Sequence, residues 1–163
     1  MNSYSFYLNY TGPLPAGSNA KVDITIRERV VFPVAERPIL RGYKEFVDLP
    51  ENRLVRVYSL EEIAAEKTVA LVDRARNEPR DLYDLWFLTA NQGVQLDHLT
   101  DAICQKLDFR GKPCKSLKSA ILQKEARLKA LWSHRLAYQM PILPGFEEVF
   151  RSLRRTLRQA NLP

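Results

Sequence analysis

Residues 59–88 read SLEEIAAEKTVALVDRARNEPRDLYDLWFL, and the periodicity of this stretch decides the fold. Ser59 followed by Glu62 forms a capping box, in which a hydroxyl and a carboxylate satisfy two free amides of a starting helix. The spacing predicts a helix from there to about Arg76. Pro79 falls in the first turn of a second helix, about Glu78 to Thr89, where its missing amide costs nothing. The helical period then continues in three further segments, about 96–107, 117–138 and 146–160. Gly111-Lys112-Pro113 and Met140-Pro141 mark the breaks between them.

Upstream of Ser59 the period is that of strands. Tyr4 to Tyr10 is aromatic-rich and ends at the turn cluster TGPLPAGSN. In KVDITIRERVVF, which begins at Lys21, Val22, Ile24 and Ile26 alternate with Lys21, Asp23, Thr25 and Arg27. That alternation describes one apolar and one polar strand face. Arg53 to Tyr58 is a third candidate strand. Between them, Pro33, Pro38, Gly42 and Pro50 break the chain into loop, with room for one short strand. Strands followed by a run of helices predict an α+β fold, with a small β-sheet and then a helical bundle. The division falls at residues 1–90, a partial sheet-bearing core, and 91–163, a basic helical domain.

The chain has 163 residues, 45% hydrophobic and 27% charged, which is enough to bury a core. No run approaches the ~18 apolar residues of a membrane span, and MNSYSFYLNY has no secretory pattern. Cys104 and Cys114 lack a CxxC partner and read as two reduced thiols of a cytoplasmic protein. His98 and His134 are too few and too isolated for a zinc site. Residues 1–100 carry 12 Lys/Arg and 14 Asp/Glu, whereas residues 101–163 carry 13 and 5. A basic C-terminal part suits an anionic partner, nucleic acid first, although basic helices also serve solubility. No P-loop, GxGxxG, HExxH or GxSxG occurs, so P-loop hydrolysis, hydride transfer, zinc proteolysis and serine hydrolysis have no supporting motif.

Four features bear chemistry. Asp23 sits mid-strand, where Asp is disfavoured; it either faces a cleft or pairs with Lys21 or Arg27 in solvent. Lys67 shares a helix face with Ile63, Ala64, Ala70 and Leu71, and Arg74 lies beyond it. A lysine there either snorkels or meets an anion: Asp23, Asp81, Asp84 or a bound phosphate. Asp81 and Asp84 share one face of the second helix, and Arg80 can pair with Asp84. Acidic residues near a helix start also answer its dipole, which accounts for Asp81 better than for Asp84. On the last helix, Phe146, Val149, Phe150, Leu153 and Leu157 make an apolar stripe. Arg151, Arg154, Arg155 and Arg158 lie on the other side, either to meet phosphate backbones or as a solvated face.

These residues carry a resemblance. Lys21-Val22-Asp23-Ile24-Thr25 resembles the second motif of the AbiEii/AbiGii toxin nucleotidyltransferases. The EK…AL…R…RD.YDL run within residues 59–88 resembles their third and fourth motifs and is long and specific. Similarity extends to Leu131-Trp132…Leu136 and to Pro144–Val149. The resemblance implies a DNA-polymerase-β-like core with an extra helical domain. It implies transfer of a nucleotide from an NTP, with Mg²⁺, to an acceptor such as tRNA, in bacterial toxin–antitoxin or phage-defence operons. A cognate antitoxin is implied as a partner. By position, Asp23 corresponds to the metal-binding carboxylate and Lys67 to the lysine that touches nucleotide phosphates. Asp84 corresponds to the catalytic group of the fourth motif, with Asp81 and Arg80 beside it, and Arg74 joins the phosphate-binding set.

One departure matters. The family's first motif, a Gly-Ser or Gly-Gly turn leading to an Asp-x-Asp/Glu strand, does not occur in these 163 residues. Gly17-Ser18 is followed at once by the Asp23 strand. That motif is therefore expected ahead of residue 1, and the chain by itself is expected to be inactive. The alternative is a non-catalytic remnant that binds nucleic acid or an antitoxin.

Overall fold

Val22 and Ile24 meet Phe6 and Tyr4 across an antiparallel pair, and this pairing builds the first sheet. A computed structural model describes residues 3–11, 18–25, 28–40, 42 and 53–163. Strand β1 (Ser3–Tyr10) runs against β2 (Ser18–Thr25). The register places Tyr4, Phe6 and Leu8 beside Ile24, Val22 and Ala20 on one face. Ser5, Tyr7 and Asn9 oppose Asp23, Lys21 and Asn19 on the other. The period-two alternation expected of residues 21–25 is therefore present, although the apolar face stays exposed. The expected turn at residues 12–17, the position of Ile26 and most of the loop at 41–52 lie outside the described residues. A second two-stranded sheet pairs β3 (Ala35–Pro38) with β4 (Leu54–Val57), also antiparallel. Strand β3 occupies the short-strand position left open within the proline-rich loop.

The α+β class holds: two small antiparallel sheets precede six helices among the described residues. Helix α1 (Leu60–Val72) starts at Ser59, whose side chain accepts from the Glu62 amide at 3.1 Å. Only half of the capping box forms. The Glu62 carboxylate turns inward instead and accepts from the amides of Val31 and Phe32 at 3.1 and 2.9 Å. The helix ends four residues before Arg76, because Asp73 is extended and its carboxylate takes the amide of Ala75. Helix α2 (Pro79–Ala90) has its proline in the first turn, as expected.

A 3-10 turn at Leu96–Leu99 leads into α3 (Thr100–Phe109). The single helix expected over 117–138 is two, α4 (Leu117–Leu122) and α5 (Glu125–Leu136), broken at Lys124. Helix α6 (Phe146–Gln159) buries Phe146, Val149, Phe150, Leu153 and Leu157, the stripe read from the sequence. One apolar core runs through all six helices, from Ala64 to Ala160. Burial of such side chains contributes about 1.5–3 kcal/mol each.

The two cysteines are not separate thiols. Cys104 on α3 and Cys114 before α4 form a disulfide with Cα atoms 5.0 Å apart, closing a short loop around Gly111. No helix among the described residues is long and apolar enough to cross a membrane.

Candidate phosphate site at the α1–α2 junction

Helix α1 ends and α2 begins within a few residues, so the two helices lie side by side and their charged faces meet. From α1, Lys67 reaches Asp84 at 2.5 Å and Asp81 at 3.2 Å. Asp81, in the first turn of α2, is 2% exposed at its side chain and has a second cation. Arg76 grips it with two donors, Nε to Oδ2 at 2.6 Å and Nη2 to Oδ1 at 3.2 Å. Such bidentate arginine–carboxylate pairs are directional and strong. The Asp81 carboxylate holds the Arg76 guanidinium protonated, above its ordinary range.

The two aspartates thus have different parts. Asp81 is enclosed and satisfied from both sides, so it sets the position of Lys67. Asp84 is 30% exposed and has only Lys67 as an ion-pair partner among the described residues. The Lys67 side chain is itself 20% exposed. An incoming anion can therefore reach the ammonium by displacing Asp84 while Asp81 stays in place. The arrangement is a cation held between one enclosed and one partly exposed carboxylate.

The structure brings Lys67, Asp81 and Asp84 together and adds Arg76, which the sequence marks only as the end of the first helix. Arg76 instead lies in the turn beyond α1, and no spacing rule pairs it with Asp81. Arg80 does not pair with Asp84, which Lys67 takes instead. Arg74 and Arg80 are exposed flanks of the junction and make no ion pair among the described residues.

Asp23 is not brought to this site. On the exposed hairpin it accepts from Ser5 Oγ at 2.5 Å and pairs with Lys21 at 2.9 Å. Those two partners, Ser5 first, hold its carboxyl below the usual carboxylate range. Lys21 is one of the two solvent partners that the sequence offers it. Among the described residues, no bond joins Asp23 to Lys67, Asp81 or Asp84, and no three His, Cys, Asp or Glu side chains cluster as metal ligands.

The basic stripe of α6 is uneven. Arg151, Arg155 and Arg158 are exposed, but Arg154 bonds Glu125 on α5 at 2.6 Å and lies over the Phe150 ring at 5.2 Å. Together the four line a shallow groove of about 430 Å³.

Over residues 2–158, nearly the whole chain, the sequence matches the family model for the nucleotidyl transferase AbiEii toxin of type IV TA systems. Neither the curated proteins nor the solved structures contain a match.

Proposed function

Because the chain belongs to the AbiEii nucleotidyl transferase toxin family, we propose that the α1–α2 junction receives the phosphates of an NTP, with Lys67 as the binding cation. The observation that carries this is the double engagement of Lys67, held by the enclosed Asp81 at 3.2 Å and by the partly exposed Asp84 at 2.5 Å. Phosphoryl-type transfer depends on positioning and on neutralising charge spread over phosphate oxygens. A lysine already oriented among carboxylates meets both needs, and water is largely shut out on the Asp81 side. Arg80 and Arg74 flank the junction as further cations for the same phosphates. Asp84, once freed from Lys67, is the carboxylate available to an acceptor hydroxyl.

The acceptor, tRNA or another nucleic acid, is proposed to lie along Arg151, Arg155 and Arg158. Arg154 contributes less, because Glu125 already holds it. A cognate antitoxin is the proposed protein partner, in the cytoplasm where NTP and tRNA occur.

Mg²⁺ is what the family implies, yet the donors among the described residues do not fit it. Asp23 is held by Ser5 and Lys21 away from Asp81 and Asp84, and no three His, Cys, Asp or Glu side chains cluster as metal ligands among the described residues. The same observation favours the second reading for these residues alone: they bind nucleotide or nucleic acid without turning nucleotide over.

The experiment is transfer from labelled NTP to tRNA with Mg²⁺, run beside a direct nucleotide-binding titration. Binding without transfer, abolished by Lys67→Met, is the expected result. Binding that survives Lys67→Met removes the proposed role of the junction.

A further inference from the structure

Among the described residues, Lys124 is a buried cation with no carboxylate hydrogen-bonded to it. It is 7% exposed, at the break between α4 and α5. Its ammonium donates to the backbone carbonyl of Asp73 and, at 2.5 Å, to that of Arg76. Both carbonyls belong to the turn between α1 and α2. That turn is tightened from within, by the Arg76 amide on the Asp73 carbonyl at 3.1 Å and the Ala75 amide on the Asp73 carboxylate at 3.1 Å. Lys112 holds the same carboxylate at 2.7 Å.

Burying an ammonium without a carboxylate opposite is costly. Burial accordingly lowers the pKa of this amine, against the pull of Asp73 and Asp81. A methionine would fill the space without that cost, so the charge wants a reason. The turn supplies one: Lys124 meets the carbonyl of Asp73, the C-cap of α1, where a cation is favoured, and that of Arg76 further along the turn. From the turn it fixes, the Arg76 side chain reaches Asp81.

We propose that Lys124 is a positioning residue for the Lys67 site: it locks the Asp73–Arg76 turn so that Arg76 clamps Asp81 and Asp81 presents Lys67. What Lys67 binds rests on the nucleotide reading above; the contacts that link Lys124 to Lys67 stand without a ligand. The helix break at Lys124 belongs to the same device. A continuous helix over 117–136 would carry this side chain along its own face, whereas the break lets it project into the turn.

The test uses the full chain labelled with ¹⁵N, with solvent exchange read at the Arg76 Nε–H. Lys124→Met is expected to speed that exchange by about tenfold or more, because the turn opens locally. Leu136→Ala, a core change on the same helix α5, is expected to lower stability and leave Arg76 exchange near that of the parent chain. Unchanged exchange in Lys124→Met, or equal acceleration in Leu136→Ala, overturns the proposal. Should Lys124→Met not fold, Lys124→Gln carries the test: its neutral amide ends one bond short of the ammonium, and exchange equal to the parent overturns the proposal.

An ATP titration with Mg²⁺ separates the two claims. No binding by the parent chain sinks the nucleotide reading, while the exchange data still decide the relay. Binding that Lys124→Met leaves unweakened, despite faster Arg76 exchange, shows that the relay does not serve the site and overturns the proposal. The expected result is an affinity reduced about fivefold to tenfold, since a binding-competent state populated less often lowers apparent affinity in proportion.

Discussion

Glu62 and Lys106 meet at 2.5 Å with their side chains 0% and 1% exposed, a buried ion pair joining α1 to α3. Lys106 also donates to Glu66 at 2.6 Å and to the Arg29 carbonyl at 2.7 Å, and Arg110 completes the cluster on Glu66 at 2.7 Å. Together with the Val31 and Phe32 amides on Glu62, the network fastens residues 29–32 to the helices. Removing one partner leaves the other charge buried and uncompensated, which costs about 3–5 kcal/mol. Lys106→Met is therefore expected to lower unfolding free energy by that amount in urea titration. The double change Lys106→Met with Glu62→Gln is expected to cost clearly less than the two single changes added together. Additive losses would mean that the pair does not couple.

Much of this was readable in the sequence, and the failures share a cause. The helix starts at Ser59 and Pro79, the α6 stripe and the inward pull on Lys67 all follow from local spacing, which is fixed by helix geometry. Glu62 looked like a capping residue because the box is a local pattern; its partner Lys106 stands 44 residues away. Arg76 and Lys124 act through a turn that no period describes. The break at Lys124 was invisible for the same reason, since α4 and α5 each keep the helical period. Asp23 was legible as a strand residue with a polar face. Which polar neighbour it would take depended on β1 supplying Ser5 opposite. The disulfide was missed because a pair ten residues apart carries no framework pattern until the chain doubles back at Gly111.

The two aspartates of the junction are predicted to separate stability from binding. Asp81→Ala strips the acceptor from Arg76 and from Lys67 in a buried place, and is expected to cost about 2–4 kcal/mol. Asp84→Asn alters a partly exposed pair and is expected to cost less than about 1 kcal/mol. Because Asp84 competes with an incoming anion for Lys67, Asp84→Asn is also expected to tighten nucleotide binding while blocking any turnover that needs the carboxylate. Denaturation midpoints and a binding titration read the two effects. Weaker nucleotide binding in Asp84→Asn would show that Asp84 is not the exchangeable partner.

Arg151, Arg155 and Arg158 give a prediction in salt. Each phosphate neutralised by a cation contributes about −0.7 to the slope of log affinity against log salt for a single strand. Reversing all three to Glu is expected to flatten the slope for RNA by about 2. Reversing Arg154 is expected instead to loosen α6 from α5, through Glu125, and to show in stability. An RNA affinity indifferent to the triple reversal would leave the stripe as a solvated face.

The Cys104–Cys114 bond closes a short loop that carries Lys112, the partner of Asp73. Opening it restores freedom to the unfolded chain, worth about 2–3 kcal/mol in the loop-entropy account. A dithiol reductant is expected to expose two titratable thiols and lower the melting temperature, with the native far-ultraviolet spectrum kept below the transition. Cys104→Ser with Cys114→Ser should match the reduced chain. Two thiols found without reductant would place the cysteines apart in solution.

Acidity provides the last test, because two neighbouring glutamates titrate in opposite directions. Burial, and then the charge of Glu66, raise the carboxyl of Glu28 above its ordinary value of 4.5. Burial would raise Glu66 as well, but Lys106 and Arg110 outweigh it and leave it lowered. For Glu28 the folded state holds the proton more tightly than the unfolded one. Its contribution therefore turns unfavourable as pH rises from the unfolded value through the folded one, and is constant beyond. For Glu66 the sign reverses: its stabilisation is present above the unfolded value and is lost as pH falls through the folded one. Glu28→Gln removes the first of these and keeps the second. Its stability relative to the parent chain should climb as pH rises from the ordinary glutamate value of 4.5 through the raised one, while both chains weaken alike in stronger acid. A stability difference between them that stays level across that range would mean that Glu28 ionises as freely in the folded chain as in the unfolded one, and that Glu66 does not press upon it.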